Sequence, residues 1–325
     1  MLRKFSYKKA ASVQEAIVAA ARPGARVLAG GTDLLGCLRD GVFTAETVVA
    51  IGGIQELKGI GPRAGGGMRI GALTTLSELA GNPQVREQYR ALAEAAAAVA
   101  SPQLRNQGTL GGNLCQRPRC WYFRGDFQCR RKGGDTCFAE TGENQYHAIL
   151  GWDGCYIVHP SDTAAALTAL GARLTIAGPK GRRTVPLESF FVLPKASILK
   201  ENILQPGELV TEILLDAPQP GVRSTYRKVR DRGAFDFALA GAAIAVALAG
   251  GNVRFARVVL SGVAPVPWRS AEAEKALVGQ PLDAATIEAA AAAAVKDAAA
   301  PGKNEYKIAL VRGILEEVLL GLAKV

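Results

Sequence analysis

The sequence predicts an α+β protein of more than one packed unit, and three features carry that prediction. Its 325 residues exceed one ordinary core, because domains usually run to about 100–200 residues. Short β-branched runs alternate with Ala-rich stretches of helical period, and a hairpin followed by helices closes the chain. Between them lies a segment rich in arginine, aromatic residues and cysteine that has no period at all. With 49% hydrophobic and 21% charged residues there is enough apolar surface to offset chain entropy, which excludes wholesale disorder.

Taken in order, Ser12 and Glu15 fit a capping box for a helix that carries Val13 and Ile17 on one face and stops before Pro23-Gly24. Arg26–Ala29 and Val48–Ile51 read as short strands of a small α/β unit. Met68–Leu73 reads as a strand entering a capped helix at Thr74-Thr75-Leu76-Ser77-Glu78, and Ala91–Ala100 as a helix closed by Ser101-Pro102. Regular structure is expected again near Tyr156, with a helix over Thr163–Leu170 and a strand over Arg173–Ala177. A strand pair is expected around 208–215 and 224–230. A hairpin follows, in which Ala243–Leu248 and Val253–Leu260 flank the turn residues Gly250-Gly251-Asn252. From Ala271 onward the pattern is helical, broken at Pro301-Gly302.

Several function classes drop out on composition. Apolar stretches such as 238–250 stop short of the roughly 18–20 residues of a membrane-spanning helix, so no membrane role is expected. The basic amino terminus lacks the apolar core and cleavage site of a secretory signal. The expected location is the cytoplasm, or the periplasm if a signal-bearing partner exports the chain with it. Only His147 and His159 are available, too few for a His-rich metal site or a histidine triad, and hydrolytic chemistry is not expected.

Two glycine stretches stand out. In Val27-Leu28-Ala29-Gly30-Gly31-Thr32-Asp33-Leu34-Leu35-Gly36, consecutive glycines allow backbone amides close to an anion, and Thr32 adds a hydroxyl. The spacing is not that of a G-x-G-x-x-G dinucleotide fingerprint, and a plain Gly-Gly turn explains this stretch equally well. The second, Asn106-Gln107-Gly108-Thr109-Leu110-Gly111-Gly112-Asn113, is polar and carries no helix or strand signal of its own. Together the two suit opposite ends of one phosphate-containing ligand.

These residues resemble the flavin-binding medium subunit of the molybdenum hydroxylases, the group of xanthine dehydrogenase, carbon monoxide dehydrogenase and aldehyde oxidoreductases. The likeness covers essentially the whole chain. It lies in Leu28–Leu34, in Gly108–Asn113, in Ser161-Asp162-Thr163 and in Tyr226-Arg227-Lys228, in that order. The resemblance implies a two-subdomain FAD-binding fold of the vanillyl-alcohol-oxidase type (1–55 and 56–218) and a C-terminal domain of small sheet plus helices (219–325). It implies that Leu28, Ala29, Gly30, Gly31, Thr32, Asp33 and Leu34 wrap the FAD diphosphate. Gly108, Thr109, Gly112 and Asn113 would line its other side, with Asp162 and Lys228 as further contacts. Implied partners are a molybdopterin-binding large subunit, a [2Fe-2S] small subunit and an external electron acceptor. No side chain of this chain is assigned an acid or base role.

The cysteine segment, 115–156, departs from most of that family. It resembles the insertion that binds a [4Fe-4S] cluster in the medium subunits of 4-hydroxybenzoyl-CoA reductase and of one bacterial aldehyde oxidoreductase group, and Arg117-Pro118-Arg119-Cys120-Trp121-Tyr122-Phe123-Arg124 favours the latter. By that likeness Cys120, Cys129, Cys137 and Cys155 are the ligands, with Cys115 a spare or a neighbour. Spacing alone leaves zinc and iron–sulfur equally open. The basic residues Arg117, Arg119, Arg124, Arg130, Arg131 and Lys132 would balance the charge of a cluster or form a docking face. A zinc-stabilised nucleic-acid module, with Trp121, Tyr122 and Phe123 stacking on bases, is the reading from another class.

Overall fold

The computed structural model describes residues 2–324 and contains three sheets. The first unit runs β1 (Ser6–Lys9), α1 (Val13–Ala20), β2 (Ala25–Leu28), α2 (Leu34–Arg39) and β3 (Thr47–Ala50). Its sheet is parallel, in the order β1-β3-β2. Val49 and Ile51 meet Val13, Ala16 and Ile17 in a small core. Ser12 accepts the Glu15 N–H as expected, but Glu15 returns its carboxylate to the Ala11 N–H, so the capping box is displaced by one residue. The strand β2 ends immediately before the first glycine stretch, which places that bend at the carboxyl edge of the sheet.

The second unit runs β4 (Ile60–Arg63), β5 (Gly67–Gly71), α3 (Leu76–Gly81), α4 (Pro83–Gln88), α5 (Arg90–Ala98), α6 (Pro102–Gln107), α7 (Leu110–Leu114), α8 (Trp121–Arg124), α9 (Asp162–Ala169), β6 (Arg173–Gly178), β7 (Gly181–Pro186) and β8 (Leu209–Leu215). Its antiparallel sheet has the order β4-β5-β8-β6-β7. Three expectations need correction. The second glycine stretch is not free of regular structure. Gly111, Gly112 and Asn113 lie in α7, because Thr109 caps the Gly112 amide while Leu110 and Leu114 are buried. Tyr156 and Ile157 are buried in irregular chain that joins no sheet, so regular structure resumes only at Asp162. The expected pair of strands around 208–215 and 224–230 does not pair at all. The first belongs to this sheet and the second to the next.

The third unit holds β9 (Val222–Val229), β10 (Ala240–Ala249), β11 (Asn252–Ser261), β12 (Trp268–Arg269), α10 (Ala271–Leu277), α11 (Ala284–Ala294) and α12 (Tyr306–Ala323). Its antiparallel sheet has the order β12-β11-β10-β9, and β10 and β11 form the hairpin expected at Gly250-Gly251. β10 is covered on both faces. Ala242, Ile244 and Val246 pack on the closing helices, while Ala243 faces Ala91 and Ala95 of α5 and Ala165, Ala166 and Ala169 of α9. Small residues on that face let two helices approach a strand closely. α9 is therefore buried along its whole length, sandwiched between the second and third sheets.

The cysteine segment is clasped from outside. Immediately before and within the first turn of α12, Asn304 donates to the His147 and Ala148 carbonyls, Tyr306 to the Gln145 carbonyl, and Lys307 to the Tyr146 and Gly262 carbonyls.

Candidate functional site

The bend after β2 is an array of donors. Among the described residues, none of the amides from Gly30 to Leu34 donates to another group. Gly31 sits at φ +77, where a side chain is strained. A Cβ on Gly30 would overlap the Gln107 carbonyl oxygen at 1.8 Å, so the first bend rests directly on residues leading into the second. The structure thus brings Gly30, Gly31, Thr32 and Gly108 together, with the Thr32 hydroxyl 3.7 Å from where a Gly108 Cβ would stand. Asp33 departs from expectation. It occupies the cap position of α2 but caps no amide. Its carboxylate instead accepts the Arg117 N–H at 2.8 Å and Arg124 Nη2 at 2.7 Å, and pairs with Arg119 at 2.9 Å.

The second bend is less open than the first. Leu110 and Gly111 donate to the Thr74 and Ala72 carbonyls, and Gly112 donates to the Thr109 hydroxyl. What it offers is Asn113. Its Oδ1 accepts from Ser161 at 2.5 Å and from Thr163 at 2.7 Å, which orients the amide and leaves Nδ2 as a free donor. Ser161 also caps α9 through the Ala164 N–H. Asp162 and Lys228, both expected beside the ligand, form a closed pair at 2.7 Å with each side chain 4% exposed. The other Asp162 oxygen accepts from the Tyr226 hydroxyl at 2.6 Å. Burial, then the charge of Asp162, pushes the Tyr226 hydroxyl well above its ordinary range, so it stays a donor. Such a pair ties β9 to α9, and sequence reasoning did not single out Tyr226 as its third member.

Cys120, Cys129, Cys137 and Cys155, 35 residues apart from first to last, line one cavity of about 300 Å³ of atom-free space. All are free thiols, and burial raises Cys120 to about 12. Cys115 lies elsewhere, against the core of the second unit, with its thiol raised to about 12 by burial. Arg131 also lines the cavity. Its side chain is 1% exposed, Nη1 pairs with Glu201 at 2.7 Å, and Nε and Nη2 have no partner. Buried donors without partners mark a place suited to an anion. The other basic residues correct the expectation of a charge shell. Arg117, Arg119 and Arg124 turn to acidic side chains, and Lys132 donates to the Gly125 carbonyl; only Arg130 and Arg131 face the cysteines. Among the described residues no three His, Cys, Asp or Glu side chains converge closely enough for a single metal ion.

A second, larger cavity of about 860 Å³ of atom-free space, partly open to solvent, adjoins the first. Cys120 and His147 line both. Trp121, Tyr146 and Phe237 supply its apolar walls and Asp231 and Asp236 its charged rim. His147 Nε2 lies 3.2 Å from Cys120 Sγ, and its Nδ1 is buried without a partner. Burial, then the Lys307 charge, lowers the imidazole to about 4. Sequence reasoning set His147 aside because it counted histidines rather than placing them. The aromatic triplet is no stacking platform: Phe123 is buried, Tyr122 packs on Phe127 and Phe138, and only Trp121 is exposed.

Residues 3–218 match the FAD binding domain in molybdopterin dehydrogenase, and residues 224–322 match the CO dehydrogenase flavoprotein C-terminal domain. The chain is 37% identical to the aldehyde oxidoreductase FAD-binding subunit PaoB of Escherichia coli (strain K12), over 98% of each chain. It is 29% identical to the carbon monoxide dehydrogenase medium chain of Hydrogenophaga pseudoflava, over 97% of this chain and 96% of that one. Among solved structures, carbon monoxide dehydrogenase from Hydrogenophaga pseudoflava superimposes with a TM-score of 0.78 at 29% identity, covering 98% of this chain and 96% of that chain. Quinoline 2-oxidoreductase from Pseudomonas putida 86 does so with a TM-score of 0.77 at 26% identity, covering 100% and 98%.

Proposed function

The chain belongs to the FAD-binding medium subunits of the molybdenum hydroxylases and is an oxidoreductase subunit, and from that premise we propose that it is the FAD- and [4Fe-4S]-carrying electron-transfer subunit of an aldehyde oxidoreductase. In this reading it works with a molybdopterin-binding large subunit and a [2Fe-2S] small subunit, and passes electrons to an external acceptor. The aldehyde assignment rests on the 37% identity to a subunit of that name. FAD when bound supplies the exchange between one-electron and two-electron transfer, and a cubane cluster supplies a one-electron site.

The chain's own part is to bind and to orient. Free amides from Gly30 to Leu34, with the Thr32 hydroxyl, are suited to a diphosphate, and Asn113 Nδ2 adds a donor from the facing bend. Asp162 and Lys228 are satisfied by each other and by Tyr226, so their work is to fix β9 against α9 behind Asn113. The second cavity, with apolar walls and a charged rim, offers the volume for a flat aromatic ring system.

The single observation that carries the cluster is the convergence of Cys120, Cys129, Cys137 and Cys155 on one cavity that Arg131, with Nε and Nη2 buried and unpartnered, also lines. A cubane takes one thiolate at each of four irons, and four thiols are what the lining of this cavity supplies. The test is cofactor content of the purified full chain. Yellow-brown protein that releases FAD on denaturation and contains about four irons per chain is the expected result. Flavin with no iron would remove the cluster from the proposal, and colourless protein with stoichiometric zinc would overturn it.

A further inference from the structure

Asp33 stands before α2 with helical backbone angles, φ −110 and ψ −50, and caps no amide. Asp283, at the same position before α11, accepts the Thr286 N–H; Ser12, Thr75, Asn82, Ser101, Thr109, Ser161 and Ser270 cap their helices in the same way. Asp33 alone among these small polar cap residues turns its side chain outward. Three groups of the cysteine segment take it up: the Arg117 N–H at 2.8 Å, Arg124 at 2.7 Å and Arg119 at 2.9 Å. The ion pairs are largely shielded from water, with Asp33 18% and Arg124 14% exposed. Arg124 is itself fixed by the Pro118 and Arg117 carbonyls, and Phe123 beside it is buried.

We propose that Arg124, assisted by Arg119, is a positioning residue for the flavin diphosphate: it holds the Asp33 carboxylate and cancels its charge beside the Gly30–Leu34 amides, so that these donors attract an anion without opposition. The inference rests on the FAD reading above and deepens it. Without the arginines an uncompensated carboxylate stands beside those amides and repels the phosphates. The cysteine segment is thereby a determinant of flavin affinity through charge, not only a holder of thiols.

The experiment adds FAD back to the flavin-stripped full chain and reads its affinity by flavin fluorescence, with iron content and thermal melting measured alongside. Arg124→Gln is expected to weaken FAD binding by about tenfold or more. Arg124→Lys loses the same contacts to the Pro118 and Arg117 carbonyls but keeps the charge, and is expected to stay within about threefold of the parent. Adding Asp33→Ala to Arg124→Gln removes the uncompensated carboxylate and is expected to restore most of the lost affinity. A merely structural strut predicts otherwise. Equal impairment by glutamine and lysine, or a double variant no better than Arg124→Gln, would overturn the proposal, as would unchanged affinity in Arg124→Gln. A parent chain that takes up no FAD under the same conditions would instead overturn the flavin reading itself, and this inference with it.

Discussion

Asp33 and Asp283 are indistinguishable to a sequence reader: each is an acid before a helix, with nothing nearby to say where its carboxylate will point. For Asp33 a helical backbone, φ −110 and ψ −50, excludes the cap, and arginines 84 to 91 residues further along the chain take up the carboxylate. The cysteine segment was legible because five thiols from Cys115 to Cys155 fall where no period exists, and the choice of Cys120, Cys129, Cys137 and Cys155 came from the family resemblance; the Arg131–Glu201 pair beside them was not legible, since Glu201 has no local signal. Lys307 is a further case, an amine with no exposed surface, pushed by burial from 10.5 to about 7. Between those values the unfolded chain holds the proton and the folded chain has released it, so stability rises with pH across the window. Below about pH 7 both states are protonated and the cost of the buried ammonium, a few kcal/mol at most, is fully present. Lys307→Met is expected to flatten that rise, and melting temperatures measured across pH 7 to 10.5 check it.

Elements with a strong period or cap came out near where the sequence puts them. α1, α5, α9 and the β10–β11 hairpin lie within a few residues of expectation, because each carries an apolar face, a capping hydroxyl or a glycine turn of its own. α7 did not, because two adjacent glycines disfavour a helix and only the Thr109 cap and the burial of Leu110 and Leu114 offset that cost. Residues 143–148 have no secondary structure to stabilise them, and the start of α12 supplies their hydrogen bonds instead. Asn304→Ala removes two donors from buried carbonyls there. It is expected to cost about 1–3 kcal/mol, seen as a lower melting temperature together with faster proteolysis at 143–148 in the full chain.

Across the whole molecule, the cysteine cavity and the second cavity share Cys120 and His147, and the first glycine bend is tied to the same segment through Asp33 and Arg119. The Asp33 anchor depends on arginines, on buried Phe123 and on Glu201, and none of Cys120, Cys129, Cys137 and Cys155 is a hydrogen-bond partner of Asp33. Cys129→Ser is therefore expected to lose iron and retain FAD, checked by metal analysis and flavin release on the same preparation; parallel loss of both would show that the cavity must be filled before the bend forms. The order of motifs along the chain and the α+β plan were determined by the sequence itself, because they depend on local period, backbone freedom and residue type. The partner of Asp33, the closure of Asp162 on Lys228 and Tyr226, and the place of His147 between two cavities were decided only by tertiary structure. Charges and hydrogen bonds act over a few ångströms in space, whatever the separation along the chain, and only folding brings those groups within reach.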